Sequence, residues 1–465
     1  MLWWTLQQLK SSNWETRAAA AAQLQASNQQ KGVPALIKAL DDENAQVRLA
    51  VINALAALSH PAAAEPVAAA LSGLSQRPKA QRAGSENAEY EAMAVALGGL
   101  GGAAVPPLMR LLDSDDKEAR RWAAHALGLT RDPRAVDPLV KLLSDNRSGT
   151  RKAAALALGA IGDLHALDPL IKALANRDPE TMRAAAAALG TIGSEKAVEA
   201  LCALSEDSNE PVQLAVVEAL RSIGGLRAAA GLRSVIDAAR KNVREAASAA
   251  LAAIKIAPAT AEDRAAVAVL KGDFQAAVGE GAAAVAALSA ALGSKDAGRR
   301  RQAAETLALL RAPGAVEPLL RALRDYDPAV QAAAVKALAS AGTAALDGLT
   351  QMLSHHDPTV RRLAAEALGE IGDPQSVGAL AGVIEQNRIV SNEYLDLLEG
   401  IRAAAEALSS ILTKNAAAMA ISDLQRLAGL PDPQLRGAVQ SPEGPAVDCE
   451  PVRNRARQEI QRRSS

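Results

Sequence analysis

Residues 357–374, DPTVRRLAAEALGEIGDP, hold six charged side chains: Asp357, Arg361, Arg362, Glu366, Glu370 and Asp373. Carboxylates set close to cations are the raw material of acid–base catalysis. The other reactive residue types are sparse. The five histidines include His60, His165, His355 and His356, which fall at joints between apolar segments. No His-Glu pairs recur as metal ligands. The triplet HHD at 355–357 needs ligands from elsewhere to hold a metal, and it reads more simply as a turn ahead of a helix cap. Cys202 and Cys449 have no partner cysteine or histidine nearby in sequence, so neither a disulfide framework nor a zinc site is indicated. No glycine-rich phosphate loop follows a strand, and no Ser/His/Asp arrangement stands out. The expectation is no catalytic residue, no metal and no cofactor.

Composition narrows the partners. The chain has 465 residues, with 51 Lys+Arg against 52 Asp+Glu, a formal net charge of -1. Such a balance exerts no global pull on nucleic acid or on acidic membranes. GRRRQ at 298–302 puts three arginines in three directions around a helix, without aromatics to stack bases, so it reads as a solvated helix end. Apolar residues make up 49% but aromatics only 2%, so alanine and leucine must carry the core. The start, MLWWTLQQLK, lacks the pattern of a signal peptide. No uncharged apolar run reaches the roughly 18 residues a membrane span needs. The cytoplasm is the expected compartment, with proteins as partners.

The elements that must position these charges emerge from repetition. The phrase R-x-x-A-A-x-A-L recurs with leading positions Arg17, Arg48, Tyr90, Arg120, Arg151, Met182, Gln213, Arg244, Arg300, Gln331 and Arg361. Most spacings are 30 or 31 residues; two, of 42 and 56, mark insertions. A catalytic cluster has no reason to recur at this period, so the opening phrase reads as a building unit. Each unit predicts two helices. Asp357 suits an N-cap, and Asx residues stand at the same offset at Asn13, Asn44, Asp116, Asp178, Asn209, Asp296 and Asp327. Val360, Ala364, Leu368 and Ile371 form a buried stripe, Gly372 a stop, and segments such as AVDPLVKLL (135–143) the second helix. A helix pair of this length cannot bury its apolar face alone, so the pairs must stack. The arginine column (Arg17, Arg48, Arg120, Arg151, Arg244, Arg300 and Arg361) is expected to brace neighbouring repeats through loop carboxylates. Asp145 ahead of Arg151 and Asp42 ahead of Arg48 have suitable spacing.

The units VRLAVINALAAL, TRKAAALALGAIGD and VRRLAAEALGEIGDP resemble bacterial HEAT-like repeats, of the short kind also found in cyanobacterial phycobilin lyases. The resemblance covers most of residues 13–385. It implies an all-α fold, a right-handed α-solenoid of stacked helix pairs (a HEAT/armadillo-like superhelix). It also implies that the helix carrying the Val-Arg phrase lines the concave side, where partners bind. A non-enzymatic protein-binding scaffold or assembly factor is the leading expectation. A lyase-like chromophore-handling protein is the rival.

The interruptions suggest an N-terminal array over 1–255, an irregular insertion or half-repeat over 256–283, a second array with its cap over 284–412, and a terminal helix, Pro/Gly-rich linker and basic tail over 413–465. The 256–283 stretch, with Phe274, is either a packed irregular repeat or a hinge. SGLSQRPKAQRAGSENA (72–88) reads as a surface loop. Three of four tryptophans, Trp3, Trp4 and Trp14, lie at the start, where burial over the first helix pair is expected. The fourth, Trp122, stands where Ala19, Ala50, Ala92, Ala153, Ala184, Ala215, Ala246 and Ala333 hold alanine in other repeats. Trp and Arg are the residue types that anchor interfaces. Arg121, Trp122, His125, Lys152 and Arg183 therefore form the candidate partner-binding set, suited to an acidic segment. The competing reading is that Trp122 fills a packing gap.

Overall fold

The computed structural model describes residues 2–78, 84, 86–207, 209–238, 240–311, 313–385, 394–430 and 448–464. These residues are helical and form no strand. They fall into two compact units, 1–256 and 257–465, and each is an all-α solenoid of stacked helix pairs.

The repeat has a constant anatomy. A 14-residue helix such as Lys117–Thr130 carries the arginine phrase. A left-handed residue ends it, a three-residue 3-10 turn follows, and a short helix such as Val136–Leu142 completes the pair. The cap pattern explains where the long helices begin. Asn13, Asn44, Asp116, Asp178, Asn209, Asp296, Asp327 and Asp357 each accept from a backbone N–H in the first turn. Gly372, at φ 75°, ends its helix in the conformation L residues rarely adopt.

In the first unit the long helices lie against one another in sequence order. The glycine of the A-L-G phrase makes the closest approach possible. A Cβ at Gly128 would stand 2.8 Å from Ala157 Cα, and one at Gly159 2.6 Å from Ala188 Cα. The core is alanine and leucine throughout, as in Ala123, Leu127, Ala154 and Leu158. The helix Leu2–Gln8 departs from expectation. It turns Thr5 inward and leaves Trp3 and Trp4 70% and 61% exposed, with Trp14 exposed as well. Residues 5 and 9 share a face by helical spacing, and 3 and 4 lie off it.

The second unit begins with the 256–283 stretch, which packs as an irregular helix pair. Ala265 and Val269 of Ala261–Lys271 and Ala277 of Phe274–Gly279 join its core. No structural break falls at 412, because the helix Tyr394–Asn415 runs across it. The basic tail is helical and packed. Helix Glu450–Ser464 buries Val452 and Ala456 in the same core, and fully buried Cys449 precedes it. Its Arg455 donates to Ser409 O at 3.1 Å and its Arg463 to Met419 O at 2.8 Å. The linker reading for 431–448 lies, apart from Asp448, outside the described residues, as does part of the 72–88 loop. The stretch Pro328–Met352 has the length and apolarity of a membrane span, yet it is two helices of one repeat, parted at Gly342, with Val330, Ala334 and Leu338 in the core.

Candidate functional site

The arginine column has a shared geometry. Arg300 shows it in full. Its Nη1 donates to the carbonyls of Ser294 and Lys295, at 2.9 and 3.1 Å. Its Nε and Nη2 grip Asp325 of the next repeat at 2.6 and 2.8 Å. Arg17 repeats this with Asp42, at 2.6 and 2.8 Å, and Arg120 with Asp145, at 2.8 and 3.4 Å. The loop aspartate thus reaches back to the previous repeat's arginine. The arginine that follows it takes its carbonyl instead: Arg48 on Asp42 O and Arg151 on Asp145 O, both at 2.8 Å. The expected pairing of Asp42 with Arg48 and of Asp145 with Arg151 is corrected accordingly. Arg48, where the first insertion displaces the loop, finds Glu89 on the next long helix, at 2.7 Å through both Nε and Nη2. That pair is buried, with side chains 2% and 1% exposed. Arg151 uses Asp178 at 3.0 Å and Thr181 at 3.2 Å.

Two members differ. Arg361 donates to His355 O and His356 O, both at 2.9 Å, while residue 386, at the offset of the partner carboxylate, lies outside the described residues. Arg244 is exposed and makes no ion pair among the described residues, which corrects its assignment as a brace. The offset that holds Asp42, Asp145 and Asp325 in the other repeats holds Val269 here.

Burial raises the Asp145 carboxyl, but the Arg120 hydrogen bond and the Arg147 N–H together hold it below its ordinary range. Asp325 behaves likewise: burial is outweighed by Arg300 and the Asp327 N–H. GRRRQ is also not a solvated end. Arg299 and Arg300 are 6% and 4% exposed, Arg299 donates to Val269 O at 2.7 Å, and its guanidinium lies 5.6 Å over the Phe274 ring. These two arginines are not available to phosphates.

The candidate partner-binding residues converge at one place, with one exception. Arg121, Trp122, His125 and Lys152 line a groove of about 550 Å³ between the helices Lys117–Thr130 and Ser148–Ile161. Glu91, Ser148, Gly149, Ala153, Leu156 and Glu180 complete the lining. Arg183 is not part of it; it pairs with Glu180 at 3.4 Å.

Both readings of Trp122 find support in its surroundings. The ring stacks on buried Tyr90, centroids 5.8 Å apart and planes 5° apart, and meets His125 edge-on at 5.7 Å. Tyr90 is one of four residues, with Met182, Gln213 and Gln331, that break the arginine column, and it is the aromatic one, so the two anomalies meet in one feature. An aromatic replaces a brace, and the next repeat supplies a ring to cover it. On its other side Trp122 lies 4.9 Å beneath the Arg121 guanidinium and lines the groove. Trp122 Nε1 and Arg121 Nε are shut off from water and have no acceptor.

The cations do not form a bare positive row. Arg121 pairs with Glu118 at 2.6 Å and Lys152 with Glu180 at 2.5 Å. Burial pushes the His125 imidazole below its usual range, and Arg121 adds to this while Glu91 opposes it, so His125 is neutral at pH 7. The residues that sequence reasoning missed, Tyr90, Glu91, Gly149 and Leu156, belong to columns already visible. Tyr90 stands at the leading position, and Arg147, one residue before the helix, is one of three gaps in the Asx column, with Glu86 and Arg240.

Cys202 is half-buried against Gly231, and burial raises its thiol. His355 and His356 lie 4.1 Å apart, with His355 Nδ1 accepting from the Asp357 N–H at 3.1 Å. Among the described residues no group of three or more His, Cys, Asp or Glu is placed to hold a metal.

A periodic stack of helix pairs, braced repeat to repeat and carrying a groove on its long helices, defines an α-solenoid. Within that class the sequence is specific: residues 4–83, 79–159, 105–187, 167–252, 285–353 and 316–398 match the HEAT repeats. The chain belongs to the HEAT-repeat family. No curated protein matches it. Similar solved structures include an engineered protein, 23% identical, covering 88% of this chain and 98% of its own, with a TM-score of 0.25. Another is the complex of CpcE and CpcF of phycocyanin lyase from Nostoc sp. PCC7120, also 23% identical, covering 56% of this chain and 91% of its own, with a TM-score of 0.29. Kap121p is 12% identical and covers 89% of this chain and 53% of its own, with a TM-score of 0.41.

Proposed function

We propose that the protein is a non-enzymatic, cytoplasmic scaffold or assembly factor that holds a segment of a partner protein in the groove beside Trp122. The arginine column serves as the brace that keeps this surface preformed. One observation carries the reading: eight of the eleven repeats keep alanine at the Trp122 position, and the single ring placed there joins a groove whose other wall exposes Leu156 at 43%. An aromatic beside an exposed aliphatic and paired charges is the composition of an interface anchor with a polar rim. The paired glutamates leave little net field. Salt therefore has a weak effect on association, and the ring and the aliphatic wall set residence time.

A photoreactive amino acid at Leu156, introduced in the native host, tests this. The expected result is a cross-linked protein adduct that Trp122→Ala removes while the melting temperature stays within a few degrees. If Trp122→Ala instead lowers stability by about 3–5 kcal/mol, as truncation of a packed core aromatic does, and the folded fraction still cross-links normally, Trp122 is a packing residue and the reading fails.

A further inference from the structure

The face that carries the groove has a polarity that its ion pairs conceal. Five places after the leading residue, four successive long helices of the first unit present Val95, His125, Leu156 and Ala187. Val95, Leu156 and Ala187 are exposed, as is Leu129 one turn beyond His125, and burial keeps His125 neutral. The same place in the second unit holds Glu305, Lys336 and Glu366, so the strip is not a property of the repeat. An exposed apolar strip bordered by charge marks a binding surface.

One place after the leading residue, the same four helices present Glu91, Arg121, Lys152 and Arg183. Arg121 is matched by Glu118 at 2.6 Å. Lys152 and Arg183 share a single carboxylate, Glu180, at 2.5 and 3.4 Å, so one positive charge is left over at that end. Glu91 lines the groove at the opposite end. It faces the neutral His125 and makes no ion pair among the described residues, so one negative charge is left over there. The two remainders cancel. The face has no net charge, but it has a direction.

We propose that the partner offers an extended segment laid across these four helices in one orientation, with a lysine or arginine at Glu91, aliphatic side chains over His125 and Leu156, and a carboxylate at Lys152 and Arg183. This rests on the scaffold reading and specifies its partner. The acidic segment expected from sequence is narrowed to one carboxylate at one end. Packed helices stand about 8–10 Å apart, so Glu91, two layers from Lys152 and three from Arg183, lies roughly 20–30 Å from them. An extended chain covers that span in about six to nine residues at about 3.3 Å each, with alternate side chains on one face. A free diacid or amino acid is too short to reach both ends, so the spacing selects a peptide.

The test uses the full chain with labelled Val, Leu and Ala methyl groups, followed by NMR. The probe is N-acetyl-Lys-Ser-Leu-Ser-Leu-Ser-Glu-amide, whose charged and aliphatic side chains share one face. Its controls carry lysine at both ends or glutamate at both ends. The mixed peptide should shift the Val95 and Leu156 methyls saturably and bind at least fivefold tighter than either control. Glu91→Gln, at an exposed position, should leave the melting temperature unchanged and erase the advantage over the doubly acidic control. Arg183→Gln should reduce the advantage over the doubly basic control. A nitroxide on the lysine end should broaden the Val95 methyls more than the Ala187 methyl. The polarity is overturned if the three peptides bind equally, if Glu91→Gln leaves the preference intact, or if the label broadens Ala187 instead. Equal binding with shifted methyls keeps the protein-binding groove and removes only its direction. Methyls that respond to none of the peptides remove the groove as well.

Discussion

Two arginine–aromatic pairs, one in each unit, show how the same chemistry serves different ends. In the second unit Arg300 lies 4.6 Å over Tyr326, and its Nε, Nη1 and Nη2 all donate, to Asp325 and to two carbonyls. In the first unit Arg121 lies 4.9 Å over Trp122, yet its Nε and the indole N–H beneath have no acceptor. The first pair is finished within the chain; the second is not. A cation–π contact is worth only about 0.5–2 kcal/mol in either place. What separates a brace from a binding surface is therefore whether the donors around the contact are satisfied.

The comparison is tested hardest at Arg48. Arg48→Ala leaves Glu89 charged and buried, and should cost about 3–5 kcal/mol in urea denaturation followed by circular dichroism. Replacing both residues with leucine should recover most of the loss. If the single substitution is harmless, buried pairing is not what holds these repeats together. Arg300→Ala comes next, at about 1.5–3 kcal/mol, the usual worth of hydrogen bonds to a charged group. Arg121→Ala, lacking equivalent bonds, should change stability by under about 1 kcal/mol while weakening partner binding.

Acid should dissolve the finished contacts. Asp145, Asp178 and Asp325 are each held below their ordinary value of about 3.8, burial being outweighed by Arg120, by Thr181 with Arg151, and by Arg300 respectively. A carboxyl depressed in the folded state contributes stability above its unfolded value and loses it as pH falls through the folded one. Thermal stability should therefore hold down to about pH 4 and decline below it. Loss already at pH 6 would point to another group. The smallest effect is reserved for Arg244→Ala. An exposed arginine without a partner carboxylate should shift stability by no more than about 0.5 kcal/mol. A larger loss would mean that the column braces without its aspartates.

The repeat was legible because it is local. Period, cap and stripe are set within one helix pair, so Asp116, Asp178 and Asp357 could be placed as caps from spacing alone. The expectation for Arg299 and Arg300 went astray because exposure depends on the neighbouring helix: Phe274 and Asp325 cover them from segments 25 residues away on either side. The brace register went astray for a related reason. Asp42 is six residues from Arg48 along the chain, yet its carboxylate faces the repeat before, and only stacking decides that.

The sequence by itself determined the helix pairs, their caps and the solenoid, because alanine–leucine stripes at a constant period admit no other way to bury apolar surface. It also marked Trp122 as an exception. Only the tertiary structure decided what the exception means. Tyr90, Trp122 and Gly149 lie on three successive long helices, and neither the stack of rings nor the groove beside it exists until those helices are side by side.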